Sequence, residues 1–134
     1  MLTSIAAVAA AVLLIGNAGF QVALAAGVPW GKAAFGGRAA REDGTLPAPY
    51  RGMSAGTAVV MVLVAWLVLA RGGVVGSGPL SDAVVFWGCW VVVGLMALNT
   101  VGNLMSTHPV ERWLMGSTTA ALVVLVGIVG WFGG

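Results

Sequence analysis

The sequence has very few charged side chains. Of its 134 residues only 7% are Asp, Glu, Lys or Arg, whereas about 25% is usual in a soluble domain. Six Lys and Arg and four Asp and Glu are too few to coat a water-facing surface. This scarcity excludes a soluble enzyme, a disordered protein and a nucleic-acid binder that acts through a basic surface. We therefore expect no nucleic acid among the partners.

Cysteine and histidine are almost absent as well. The single Cys89 cannot form an intrachain disulfide, and its apolar neighbourhood between Gly88 and Trp90 predicts a small buried side chain. The single His108 has one nearby carboxylate, which is too few ligands for a metal site. We predict neither a metal nor another cofactor.

Apolar residues make up most of the chain, with 60% hydrophobic residues and a mean hydropathy of +1.02. A bilayer core needs roughly 20 apolar residues per helix, and in lipid the backbone must satisfy its own hydrogen bonds. Four stretches qualify as helices, at about 2–27, 53–70, 83–105 and 109–132. The sequence predicts an all-α, four-span transmembrane helical bundle that forms one domain over 1–134, with a loop at 28–52.

The first span resembles a signal peptide in one respect, since Ala23-Leu24-Ala25 looks like a cleavage site. A signal peptide also carries Lys or Arg before a shorter apolar core, and this segment has neither feature. We expect the segment to be retained as a membrane span.

The basic side chains are distributed unevenly between the loops. The second loop has only Arg71, whereas five fall in the first and third loops: Lys32, Arg38, Arg41, Arg51 and Arg112. Cytoplasmic loops are enriched in Lys and Arg. We predict a multi-pass protein of the plasma (inner) membrane with both termini outside and the 28–52 loop in the cytoplasm.

Carboxamide side chains occur inside two of the predicted spans. Asn17 and Gln21 are four residues apart in the first span, and so are Asn99 and Asn103 in the third, which places each pair on one helical face. The two spans run in the same direction, and their amides differ in depth by about 3 Å at 1.5 Å per residue. Polar residues inside spans are costly and often functional.

The second and fourth spans also have polar residues at the same depth or nearer the cytoplasm, namely Ser54 and Thr57 in the second and Ser117, Thr118 and Thr119 in the fourth. Toward the opposite side of the membrane, each span has a segment without Asn, Gln, Ser or Thr: 8–15, 63–70, 84–93 and 122–131. This asymmetry predicts a polar vestibule that is closed on the outside. Because carboxamides donate and accept hydrogen bonds without net charge, we expect the vestibule to bind or transport a small uncharged or weakly anionic solute, or a lipid.

Interhelical hydrogen bonding is the alternative explanation for these polar residues. Asn, Gln, Ser and Thr also join membrane helices, at about 0.6 kcal/mol each on average. A protein of this second kind would be a non-catalytic accessory subunit of a larger membrane complex or a homo-oligomer, with membrane lipid around it. The pattern of residues does not separate the two explanations.

Aromatic and basic residues flank the membrane at both cytoplasmic loops. We expect contacts with lipid headgroups, or a lid over the vestibule, from Trp30, Lys32, Arg38, His108 and Arg112. Both roles suit loops, which often carry function.

A third hypothesis is a membrane enzyme that uses His108, Glu111 and Arg112 as acid, base and anion clamp. A structural role explains the same residues more simply. Glu111 would lie near the positive end of the helix dipole, and Arg112 would anchor to headgroups. We therefore expect a protein without catalytic residues.

The whole chain resembles the small four-helix membrane proteins of unknown function that are common in bacteria with GC-rich genomes. The similar features are an Ala-rich first span, Leu46-Pro47 before the second span, a third span rich in Trp and small residues, and the segment Gly27-Val28-Pro29-Trp30-Gly31-Lys32-Ala33-Ala34-Phe35-Gly36-Gly37. The resemblance implies four spans and a plasma-membrane location, and it assigns no activity to any residue.

Overall fold

The computed structural model describes all 134 residues and consists of four long helices joined by short connections, without strands. The helices are α1 (Leu2–Ala26), α2 (Ala48–Arg71), α3 (Asp82–Leu104) and α4 (Gly116–Phe132), the last continuous with a π-helical turn at Val110–Met115. All four are long and apolar enough to cross a membrane. The predicted all-α, four-span bundle is confirmed, and the chain is a multi-pass membrane protein.

The second helix starts earlier than predicted, at Ala48 rather than at about residue 53. Pro47 precedes the helix and Pro49 lies in its first turn. Proline suits these positions because the first amides of a helix have no intrahelical partner, so the missing N–H is not lost. The loop correspondingly ends at residue 47. The other helix ends agree with the prediction to within one residue.

The helices associate as two sequential pairs. α1 packs along α2, and α3 packs along α4, while α1 and α4 join the two pairs. α2 and α3 share the smallest interface of the four neighbouring helix pairs. α1 and α3 therefore lie diagonally across the bundle, so their amide-bearing faces can line a common central space.

An apolar core fills the half of the bundle that contains the chain termini. Its fully buried members include Leu14, Val68, Cys89 and Leu122. One side of this core consists of four alanines of α1, Ala6, Ala7, Ala10 and Ala11. Their small side chains allow close approach of neighbouring helices in lipid. Cys89 is free and buried, as predicted. This end of the bundle is closed by packed apolar side chains.

The loop between α1 and α2 folds back against the other end of the bundle. It contains 3-10 turns at Gly31–Ala33 and Phe35–Gly37, and the Gly31 N–H donates to the Gly44 carbonyl at 2.7 Å. Leu46 is buried beside Leu24 and anchors the end of the loop. The long connection is thus packed against the helices.

An exposed turn before Leu46 is closed by one acidic residue. The Asp43 carboxylate accepts hydrogen bonds from the hydroxyl and the N–H of Thr45, at 2.6 and 2.9 Å. These bonds, led by the hydroxyl, lower the pKa of Asp43 below its ordinary value of 3.8. The Asp43 carboxylate therefore stays ionised, and keeps these bonds, to a lower pH than an Asp without such donors would.

Candidate functional site

A polar cavity lies between the helices, on the side of the bundle that the loop covers. Its volume is about 210 Å³. All four predicted carboxamides line this one cavity. Its wall consists of Asn17, Phe20, Gln21, Ala33, Ala34, Phe35, Thr57, Met61, Asn99, Asn103, Glu111, Met115 and Thr119.

The size of the cavity limits what it can hold. A single water molecule needs about 10–15 Å³ of such space, so 210 Å³ exceeds the space for one water many times. Pockets for drug-sized ligands measure about 300–1,000 Å³. The cavity therefore suits a small polar solute of a few heavy atoms, together with water.

The carboxamides face the cavity without bonding to one another. Of the four, only Asn103 has a hydrogen-bond partner in the protein, and its Nδ2 donates to Thr119 Oγ1 at 3.4 Å. The Gln21 Oε1 atom is buried without a partner. A buried acceptor that lacks a donor costs free energy. Asn103 therefore links α3 to α4, whereas Asn17, Gln21 and Asn99 line the cavity without an interhelical hydrogen bond.

The Thr119 hydroxyl connects α3 to α4 at the cavity wall. Its oxygen lies 2.9 Å from the Thr100 hydroxyl oxygen and accepts the weak bond from Asn103. It also lies 3.0 Å from the Met115 carbonyl, to which it donates. Thr119 is 3% exposed, so this link is shielded and holds the Asn103 side chain in place.

Ser117 and Thr118, which the sequence predicted as ligand-binding, lie outside this cavity. Ser117 is exposed, and Thr118 donates to the Leu114 carbonyl of its own helix. The π-helical turn at Val110–Met115 explains the difference. It inserts one extra residue, and each residue turns a helix by about 100°, so Thr119 takes the position that Thr118 would have in a regular helix.

Glu111 is a wall residue that the sequence analysis placed in a different role. Its side chain is 4% exposed, and its two carboxylate oxygens accept the Gly36 N–H at 3.0 and 3.3 Å. Glu111 does lie in the first turn of its own helix, as expected, but its carboxylate accepts the N–H of Gly36 in the loop and not an amide of that helix. Because the π-helical turn directs Glu111 inward, it joins the loop to α4 and adds a carboxylate to the cavity.

His108 and Arg112 do not converge with Glu111. The His108 Nδ1 atom accepts the Val110 N–H at 3.3 Å, and the Arg112 guanidinium carbon lies 5.0 Å from the centre of the Trp113 ring. Neither side chain lines the cavity. The three residues therefore do not form an acid–base pair with an anion clamp, and this geometry provides no support for the enzyme hypothesis.

The loop forms one wall of the cavity, through residues other than those that the sequence analysis named for a lid. Ala33, Ala34 and Phe35 face the enclosed space. Phe35 adopts a left-handed backbone, with φ of 51°, and its ring packs edge-on against Tyr50 at 5.1 Å. The neighbouring Gly36 N–H is the donor to Glu111. Packing and hydrogen bonding together hold this strained segment over the cavity.

The basic and aromatic residues of the loop lie on its outer side. Trp30 is exposed and stacks on Phe20 at 6.3 Å, and Lys32 and Arg38 are exposed. A groove of about 410 Å³ runs beside the cavity and is lined by Trp30, Lys32 and His108, together with apolar residues. Trp30, Lys32 and His108 thus share a surface suited to lipid headgroups, whereas Arg38 and Arg112 lie outside this groove.

No protein-family model, no curated protein and no solved structure matches this chain. The fold and the site define a class of protein, a four-helix membrane protein with a small polar cavity closed at one end by an apolar core. Its function is therefore inferred from the cavity.

Proposed function

We propose that the protein binds a small polar solute in the cavity and carries it across the membrane. The observation that supports this proposal is the convergence of Asn17, Gln21, Asn99 and Asn103 on one space of about 210 Å³. Side chains that can both donate and accept hydrogen bonds replace the water around a polar solute. Polar side chains are costly inside a membrane, and a polar ligand would satisfy those that lack a partner.

The apolar core at the opposite end favours a carrier over an open channel. Leu14, Leu122, Val126 and Val129 are fully buried there, in line with the cavity along the bundle. A pore that is always open needs polar walls through its whole depth. Transport would instead require the two helix pairs to shift relative to each other, at the smaller α2–α3 interface.

Acetamide is a suitable probe because it is small, carries one carboxamide and has a methyl signal for ligand-observed NMR. We expect saturation transfer from the protein in lipid nanodiscs to acetamide. Replacing Asn99 by leucine removes about one hydrogen bond, worth about 0.5–1.5 kcal/mol, so Asn99→Leu is expected to weaken binding about two- to tenfold.

The matched control for this experiment is Leu98→Ala, because Leu98 is 70% exposed on the outer face of α3. It should bind acetamide like the unaltered protein. Equal affinity of Asn99→Leu and the unaltered protein would exclude the amides as the site. No saturation transfer to acetamide, acetamidinium or acetate would contradict the proposed function.

For the orientation we propose that the cavity opens toward the cytoplasm of a bacterial plasma membrane, with both termini outside. The support is the concentration of basic residues in the loop that covers the cavity.

Cysteine labelling tests this orientation. In a Cys89→Ala background, Asn17→Cys should react with a membrane-impermeant thiol reagent in inverted vesicles and not in spheroplasts. Val126→Cys, in the apolar core, should stay unlabelled in both. Labelling of the Asn17 position from the outer side alone would reverse the assignment.

A further inference from the structure

The charge of the cavity wall comes from one residue. Glu111 is the only Asp, Glu, Lys or Arg among the residues that line the cavity. We propose that the ligand is a small organic cation with N–H donors, such as an amidinium or a primary ammonium, and that the Glu111 carboxylate selects it. This inference rests on the proposed function.

No basic side chain of the protein neutralises Glu111. Lys32 and Arg38 are exposed on the outer side of the loop, and Arg112 lies over Trp113. The partner that the structure gives to the carboxylate is the Gly36 N–H, a neutral donor. A buried carboxylate is strongly disfavoured without an opposite charge or several donors, and a cationic ligand would supply both.

The acceptor atoms of the wall point to the same chemistry. Gln21 Oε1 is buried without a donor, and a carboxylate can accept about four hydrogen bonds, of which Gly36 supplies one shared N–H. A ligand with several N–H groups would satisfy these acceptors together. An anion would add further acceptors beside Glu111 and be repelled by its charge.

The surroundings of Glu111 strengthen this selection. The side chain is 4% exposed, with the apolar Phe35 and Met115 on the same wall. Charges beside a buried side chain interact more strongly than they do in bulk water. The same carboxylate is bonded to the loop, so the residue that selects the ligand also holds the lid.

Three probes of nearly the same shape test the charge preference: acetamidinium, acetamide and acetate. They carry one positive charge, no charge and one negative charge on the same two-carbon frame. For the unaltered protein in nanodiscs at neutral pH, we expect acetamidinium to bind about tenfold or more tighter than acetamide, and acetate to bind most weakly. Glu111→Gln should abolish the preference, so that acetamidinium and acetamide bind about equally.

Glutamine is the suitable replacement because its side-chain oxygen can still accept the Gly36 N–H, so the loop should stay docked. Glu111→Asp keeps the charge and should keep a preference for acetamidinium, which separates the effect of charge from an effect on folding. Equal binding of acetamidinium and acetamide by the unaltered protein would overturn this inference and leave the proposed function standing. A preference that persists in Glu111→Gln would also overturn it. Binding of none of the three probes would instead contradict the proposed function itself.

Discussion

Replacing Leu14 by alanine should lower the free energy of unfolding by about 2 kcal/mol. Leu14 is fully buried in the apolar core beside Ala10 and Ala11, so the truncated side chain would leave a void that its neighbours cannot fill. Leu→Ala changes in soluble cores cost about 2–5 kcal/mol. We expect the lower end of this energy range because the surrounding lipid is as apolar as leucine. The substitution therefore removes packing contacts without losing a hydrophobic contribution.

Thermal unfolding in detergent, followed by the fluorescence of the six tryptophans, measures this effect. The control is Leu98→Ala, which removes the same atoms from a side chain that is 70% exposed. Its free energy of unfolding should change by less than about 0.5 kcal/mol. An equal loss in the two variants would show that the core around Leu14 is not packed as described.

Replacing Gly44 by valine is expected to release the loop from the helices. Gly44 has a φ of +86°, a conformation that β-branched residues rarely adopt, and a Cβ there would lie 2.5 Å from the Pro29 carbonyl oxygen. Strained backbone and overpacking each cost about 1–3 kcal/mol, so the docked loop should be destabilised by about 2–6 kcal/mol.

Limited trypsin digestion measures the release of the loop, because Lys32, Arg38 and Arg41 are its exposed cleavage sites. Cleavage after these residues should be at least tenfold faster in Gly44→Val than in the unaltered protein. Gly52→Val is the control, since Gly52 is exposed on α2 and a Cβ there meets no atom within 4 Å. Equal cleavage rates in Gly44→Val and Gly52→Val would contradict the docked arrangement.

Composition and helical spacing were sufficient to predict the four spans and the level at which the amides meet. Asn17 and Gln21, like Asn99 and Asn103, are four residues apart, and the bilayer fixes the helix lengths, so the faces and depths follow from the sequence. The apolar half could be predicted equally well, because the segments 8–15, 63–70, 84–93 and 122–131 contain no Asn, Gln, Ser or Thr. These features depend only on local periodicity.

The features that were not predicted depend on contacts between distant residues. The π-helical turn has no simple sequence signal, and it decides that Glu111 and Thr119 face the cavity instead of Thr118. The docking of the loop depends on the bond from Gly31 to Gly44 and on close backbone approach at both glycines. Glu111 was assigned to its own helix because its partner, Gly36, is 75 residues away in the chain.

The pairing of α1 with α2 and of α3 with α4 has a consequence for biogenesis. Each pair is made of helices that follow one another in the chain, so each hairpin can form inside the bilayer soon after it is synthesised. The amides come from both hairpins, Asn17 and Gln21 from the first and Asn99 and Asn103 from the second. The carboxamides therefore enter the lipid before the cavity that they share has formed. Docking of the two hairpins is the step that removes them from hydrocarbon.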